Sequence, residues 1–160
     1  MPLTIYLADA DDDALEIAPA THGVLMSIAR DGPYPLLARL ADYYASVDFD
    51  PTEAPRLLAE TEALLAAWPS LRPRLQAALE RFHERFVKLY EKPLDDDPGS
   101  PEKARVEARV RQSRDALARL RDGDVDGDPL ASDLRATLDR LAALCRQAIA
   151  TGGGIVAEAD

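Results

Sequence analysis

This sequence has few of the residues on which most small enzymes and secreted proteins depend. Its 160 residues include one cysteine and two histidines. A single thiol, Cys145, excludes a disulfide within the chain and favours a reducing compartment. No apolar run approaches the roughly 18 residues of a membrane helix, and the N-terminus lacks the basic start and cleavage site of a signal peptide. We therefore expect a cytoplasmic protein that does not cross a membrane.

Motifs for nucleophilic, phosphate and metal chemistry are also scarce. His22 and His83 have no metal-type spacing, and His83, beside Phe82 on a charged helix, reads as a half-exposed surface residue. Cys145 falls on an apolar stripe, which is typical of an inert core thiol. The three glycines at 152–154 follow a helical pattern, so they read as a stop signal rather than a phosphate cradle. The sequence thus predicts a non-catalytic protein without a cofactor.

What the chain does have is acidic charge, unevenly distributed. The formal net charge is −10, and residues 1–50 hold nine acidic and two basic residues. Such a field repels nucleic acid and anionic membranes and attracts a basic protein or a cation. The alternative is that the excess acid only maintains solubility. Sixteen arginines against three lysines favour a GC-rich, hence bacterial, genome.

Length and patterning predict one globular domain over residues 1–160, a mainly α bundle of five or six helices. Two strand-like segments, 3–8 and 155–157, lie at the two ends of the chain, and we expect the termini to pair as a minimal two-stranded sheet. Leu3, Ile5 and Leu7 should face the core. A short helical pattern at 12–18 is followed by six longer ones at 21–30, 34–45, 50–68, 70–92, 101–121 and 130–151.

The strongest helix start is at Asp50. Asp50 is a good N-cap, Pro51 suits the first helical position, and Glu53 completes a capping box, with Phe49 as a hydrophobic staple. The apolar positions of the helical patterns predict a shared core. Its expected members are Leu57, Leu64, Trp68, Leu75, Leu79, Phe82, Phe86, Leu138 and Leu141.

Residues 122–133 resemble an EF-hand calcium loop. Asp122, Asp124, Asp126 and Asp128 alternate along it, Gly127 supplies the sharp turn, and Asp133 takes the last ligand position. Pro129 and the short Asp133 depart from the pattern, and no second loop accompanies the first. We therefore expect an acidic turn without a tight calcium site.

Carboxylates elsewhere are candidates for binding a partner. They follow the first strand or surround the exit of the third helical pattern: Asp9, Asp11, Asp12, Asp13, Asp42 and Asp48. The basic helix at 103–121 has interspersed acids, which favours a solvated face over a nucleic-acid site. Monomer and homodimer both remain open.

Two stretches resemble known proteins: Val47-Asp48-Phe49-Asp50-Pro51, continuing to Leu64-Leu65, and Leu144-Cys145-Arg146-Gln147-Ala148 with its glycine run and short strand. Together they are similar to small acidic bacterial proteins of the toxin-immunity type. The resemblance implies a module that neutralises a basic toxin domain and supplies no catalytic residues. The alternative is an accessory protein that acts as a homo-oligomer.

Overall fold

A computed structural model describes residues 2–8, 10–41, 46–91 and 101–159, with the backbone alone for 10–13. The described residues confirm a mainly α fold with a small antiparallel sheet. The strands are β1 (Leu3–Leu7), β2 (Ala10–Ile17), β3 (Val47–Phe49) and β4 (Ile155–Ala159). The helices are α1 (Pro19–Ala29), α2 (Pro35–Arg39), α3 (Ala54–Ala66), α4 (Trp68–Tyr90), α5 (Pro101–Arg121) and α6 (Pro129–Thr151).

The two ends of the chain pair as expected. β1 and β4 run antiparallel, with Leu3 opposite Ala159 and Leu7 opposite Ile155. The strand count was wrong, because the described sheet has four strands in the order β2-β1-β4-β3. A β1–β4 pair alone would leave two open edges with unpaired backbone groups, and β2 and β3 each occupy one of them.

Residues 12–17 of the helix predicted over 12–18 lie instead in β2. Leu15 and Ile17 are buried while Ala14 and Glu16 are exposed, which is the two-residue period of a strand. Pairing with β1 in a hairpin places Leu15 opposite Ile5 and Ile17 opposite Leu3. Pro19 does not end a helix but begins α1, where its missing N–H has no cost.

The capping prediction at Asp50 is confirmed in its hydrogen bonds. The Asp50 carboxylate accepts from the Glu53 N–H at 3.1 Å, and the Glu53 carboxylate accepts from the Asp50 N–H at 3.2 Å. Regular helix begins only at Ala54. Phe49 is a buried strand residue of β3. At the other end of the chain, Gly152 closes α6 in the left-handed conformation, as the glycine run predicted.

Three helices, α2, α3 and α4, begin or end away from their predicted positions. The pattern at 34–45 yields the short α2, and residues 42–45 lie outside the described residues. Trp68 begins α4 rather than ending α3, because Pro69 is accommodated in the first turn of α4.

The core lies between the sheet and the helices, with α6 packed against α1, α3 and the strands β1 and β2. Seven of the nine expected core residues are buried there: Leu57, Leu64, Trp68, Leu75, Leu79, Leu138 and Leu141. Phe82 and Phe86 were wrongly placed, since both are half-exposed. The inward-facing side of α4 runs through Leu71, Leu75, Leu79 and His83, and Phe82 and Phe86 lie beside this line.

Candidate functional site

Among the described residues, the sheet has one buried face and one face whose side chains are exposed or half-buried. Leu3, Ile5, Leu15 and Ile17 point into the core. Six residues on the opposite side are exposed or half-buried and form what we call the outer sheet face: Thr4, Tyr6, Glu16, Asp48, Val156 and Glu158. Every second residue of a strand points this way, so the face follows directly from the pleat.

Register brings the carboxylates of this face together. Thr4 lies between Glu16 on β2 and Glu158 on β4, and Val156 lies between Tyr6 on β1 and Asp48 on β3. None of the described strand residues on this face is basic. Cross-strand neighbours are about 5 Å apart at Cβ. The result is a negatively charged surface around an aromatic ring, and of the candidate residues it includes Asp48.

Asp11, Asp12 and Asp13 lie in β2, which is an edge strand. Ile5 pairs with Leu15 but Leu7 pairs with Ala10, so residues 11–14 stand opposite Tyr6 alone and the strand bulges there. Charged residues on a bulged edge also discourage pairing with another chain. Asp9 and Asp42 lie outside the described residues.

The acidic turn after α5 does not gather its carboxylates around one point. Asp124 Oδ1 accepts from the Gly127 N–H at 3.0 Å, Asp126 pairs with Arg72 at 3.0 Å, and Asp133 lies exposed on α6. Across the described ranges no group of three potential metal ligands forms. Asp122 is near the turn's start, and Asp128 is directed into the protein. The absence of a tight calcium site stays a prediction.

Asp128 belongs to a buried polar cluster that joins three helices. Its Oδ2 lies 2.8 Å from His83 Nε2, and His83 Nδ1 lies 3.3 Å from the Ser113 hydroxyl. Asp128, His83 and Ser113 are 2%, 7% and 7% exposed, so the expectation of a half-exposed His83 was wrong. His83 continues the four-residue steps Leu71, Leu75 and Leu79, and that spacing was the signal that sequence reasoning missed.

The cluster also determines the electrostatics of Asp128. Burial acts to raise the pKa of this carboxyl, but the hydrogen bonds from His83 and the Leu130 N–H outweigh it and hold the pKa below its usual value. Asp128 is also the N-cap of α6, accepting from the Leu130 N–H at 2.9 Å. One carboxylate thus caps α6 and orients His83, which is the arrangement of a fixed polar anchor.

The order Asp128, His83, Ser113 resembles that of a hydrolase triad. Ser113, however, lies well inside α5, where neighbouring backbone N–H groups are engaged along the helix. A hydrolase needs such donors free to stabilise an oxyanion, commonly beside the nucleophile. The geometry therefore favours a positioned polar cluster over a nucleophilic centre.

The single thiol, Cys145, and the second histidine, His22, both lie in the interior. Cys145 is fully buried, as predicted, and burial raises the pKa of its thiol to about 12. A thiol in that state carries almost no thiolate near neutral pH. His22 is also buried, and its Nε2 lies 2.5 Å from the Leu40 carbonyl oxygen, which ties α1 to the end of α2.

No described helix combines the length and apolar character needed to traverse a lipid bilayer. No protein-family model, curated protein or solved structure matches this chain.

Proposed function

We propose that this protein is a non-catalytic binding module that holds a basic protein partner against its outer sheet face. The observation that carries the proposal is the register of the sheet. It places Glu16, Asp48 and Glu158 around Tyr6 on an open surface, and no described strand residue there is basic.

This face combines an aromatic and an aliphatic side chain with three carboxylates. Tyr6 and Val156 supply apolar area at its centre, and the three carboxylates supply charge at its margins. Aromatic residues are enriched in protein interfaces, and complementary charge accelerates association. The acidic N-terminal third extends the same field, since residues 1–50 hold nine acids and two bases.

The partner in this proposal is a cationic protein domain. The resemblance to small acidic proteins of the toxin-immunity type makes a bacterial toxin domain, neutralised in the cytoplasm, the first class to test. Neutralisation needs tight binding alone, which agrees with a surface that offers charge and shape rather than a nucleophile.

The test begins with affinity capture from the native host and continues with the purified partner. Association rates are measured for wild type, for a variant with Glu16→Lys, Asp48→Lys and Glu158→Lys, and for a control with Glu107→Lys, Asp122→Lys and Asp133→Lys. Both variants change the net charge equally, but the control residues lie on α5, α6 and the turn between them. We expect the first variant to slow association at least about tenfold and the control to slow it about twofold or less.

Equal slowing by both variants would show that net charge alone, and not the outer sheet face, drives binding. A partner that binds all three proteins alike, at rates indifferent to salt, would contradict the proposal.

A homo-oligomer is the second candidate, and one observation favours it. α5 carries seven basic and three acidic residues, so it offers a cationic surface to the outer sheet face of another copy. Sedimentation of wild type at low salt tests this directly. Self-association that disappears in the Glu16, Asp48 and Glu158 variant would identify a second copy as the partner.

A further inference from the structure

A cleft with a volume of about 780 Å³ lies between α4 and α5. Residues at the start of α1 and at the start of α6 also line it. Phe82 and Phe86 of α4 and Leu130 of α6 supply apolar walls. The volume falls in the range of roughly 300–1,000 Å³ that is usual for small-molecule sites.

The base of the cleft is polar and fixed in place. His83, Ser113 and Asp128 all line it, and the 2.8 Å contact between His83 and Asp128 holds the imidazole in one orientation. These groups are buried at the junction of three helices. A buried polar cluster that opens onto an apolar cleft gives a ligand both an orientation and a hydrocarbon contact.

The exposed charged residues of the cleft lie along its rim. Arg109 and Arg119 of α5 line it, and within the described part of the chain neither forms an ion pair. Two aspartates line the cleft: Asp128 is buried in the polar cluster, and Asp115 is exposed. At the exposed rim the two arginines therefore outnumber the carboxylates by one. Residues 18–20 also line the cleft, and no side chain caps the N-terminus of α1 there. The partial positive charge of that helix end adds to the preference for an anion.

We propose that this cleft binds a small molecule with an anionic group on an apolar body, such as a medium-chain carboxylate. The carboxylate lies at the rim beside Arg109 or Arg119, and the hydrocarbon extends along Phe82, Phe86 and Leu130. The site is separate from the outer sheet face and does not depend on the function proposed for that face.

The experiment compares decanoate with decanol by calorimetric titration, with backbone amide shifts recorded in parallel. A double variant, Arg109→Gln with Arg119→Gln, is matched by Arg105→Gln with Arg111→Gln, two exposed arginines of the same helix that do not line the cleft. We expect one decanoate to bind per chain, with shifts at Phe82, Phe86 and Ser113. The rim variant should weaken decanoate about tenfold or more, while the matched variant should change it about twofold or less.

Decanol serves as the neutral reference, and its binding should be weaker than that of decanoate and insensitive to the rim variant. The proposal is overturned by decanoate binding no better than decanol, by equal effects of the two arginine variants, or by the absence of saturable decanoate binding up to about 1 mM. Circular dichroism of both variants confirms that they are folded, so a loss of binding reports on the site.

Discussion

The outer sheet face and the cleft between α4 and α5 are both polar, but they are built in opposite ways. Glu16, Asp48 and Glu158 project from strands into water. His83 and Asp128, 45 residues apart in the chain, meet in the interior at 2.8 Å. The functions proposed for the two regions differ accordingly: the first would act through its field on a partner at a distance, and the second through fixed geometry on its own helices and on a ligand in the cleft.

This difference separates charge that influences binding from charge that stabilises the fold. Exposed ion pairs and isolated surface charges contribute little to stability, because water already solvates them well. A buried carboxylate that loses its partner leaves an unsatisfied group, which is costly. Substitutions in the two regions should therefore separate stability from association.

The largest expected effect lies in the core beside the cleft. Leu79 is fully buried on α4, and Leu79→Ala should lower the free energy of unfolding by about 2–5 kcal/mol because it leaves a cavity. Phe86, on the same helix, is half-exposed beside Tyr90, so Phe86→Ala should cost clearly less, on the order of 1 kcal/mol. Urea denaturation followed by circular dichroism measures both. Equal losses of stability would show that Phe86 is as deeply buried in solution as Leu79, contrary to the structure.

Asp128 should give the next largest effect. Asp128→Ala removes both the cap of α6 and the partner of His83, and we expect a loss of about 2–4 kcal/mol. Asp128→Asn keeps a capping oxygen and a polar group beside the imidazole, so about 1 kcal/mol is expected. The same denaturation curves test this pair. If alanine and asparagine are equally destabilising, the charge rather than the hydrogen bonds dominates at this position.

The pH dependence of Asp128 gives a smaller effect with a definite sign. Because its pKa is lower in the folded protein than in the unfolded chain, the carboxylate stabilises the fold above the unfolded pKa, about 3.9. That contribution is lost as pH falls from there through the folded value. The stability difference between wild type and Asp128→Asn should therefore shrink as the pH falls below about 4. A difference that grows on acidification would reverse the assigned shift.

The smallest expected effect on stability lies on the outer sheet face. Glu16→Lys with Glu158→Lys should change the free energy of unfolding by no more than about 0.5 kcal/mol, because both side chains are exposed. The same pair should nevertheless change association with a basic partner. Thermal and urea denaturation measure the first quantity. A loss comparable to that of Asp128→Ala would remove the contrast between the two regions.

Much of the secondary structure was predictable because its sequence signals are local. The capping box of Asp50 and Glu53, the stop at Gly152 and the alternation of Leu3, Ile5 and Leu7 each involve residues within a few positions of one another. β2 was missed because its eight residues, which end in Leu-Glu-Ile, suit a helix as well as a strand. Only the hairpin with β1 decides between the two.

The same limit applies to the candidate sites: individual residues could be identified from the sequence, but their grouping could not. Asp48 was identifiable from charge alone, but its grouping with Glu16 and Glu158 depends on the register of strands that lie far apart in the chain. His83 and Asp128 were both visible, yet each was assigned to a surface, His83 to a charged helix and Asp128 to an acidic turn. Their contact depends on how α4 packs against α5 and α6.

The sequence by itself determined that this chain is acidic and mainly helical, that both of its ends are strand-like and that its single thiol is buried, since composition and short-range periodicity are sufficient for each. The tertiary structure alone decided which carboxylates share a face and which one turns inward to meet a histidine. The reason is that a hydrogen bond of 2.8 Å requires positional accuracy that no residue pattern encodes. It arises only when three helices have packed around one core.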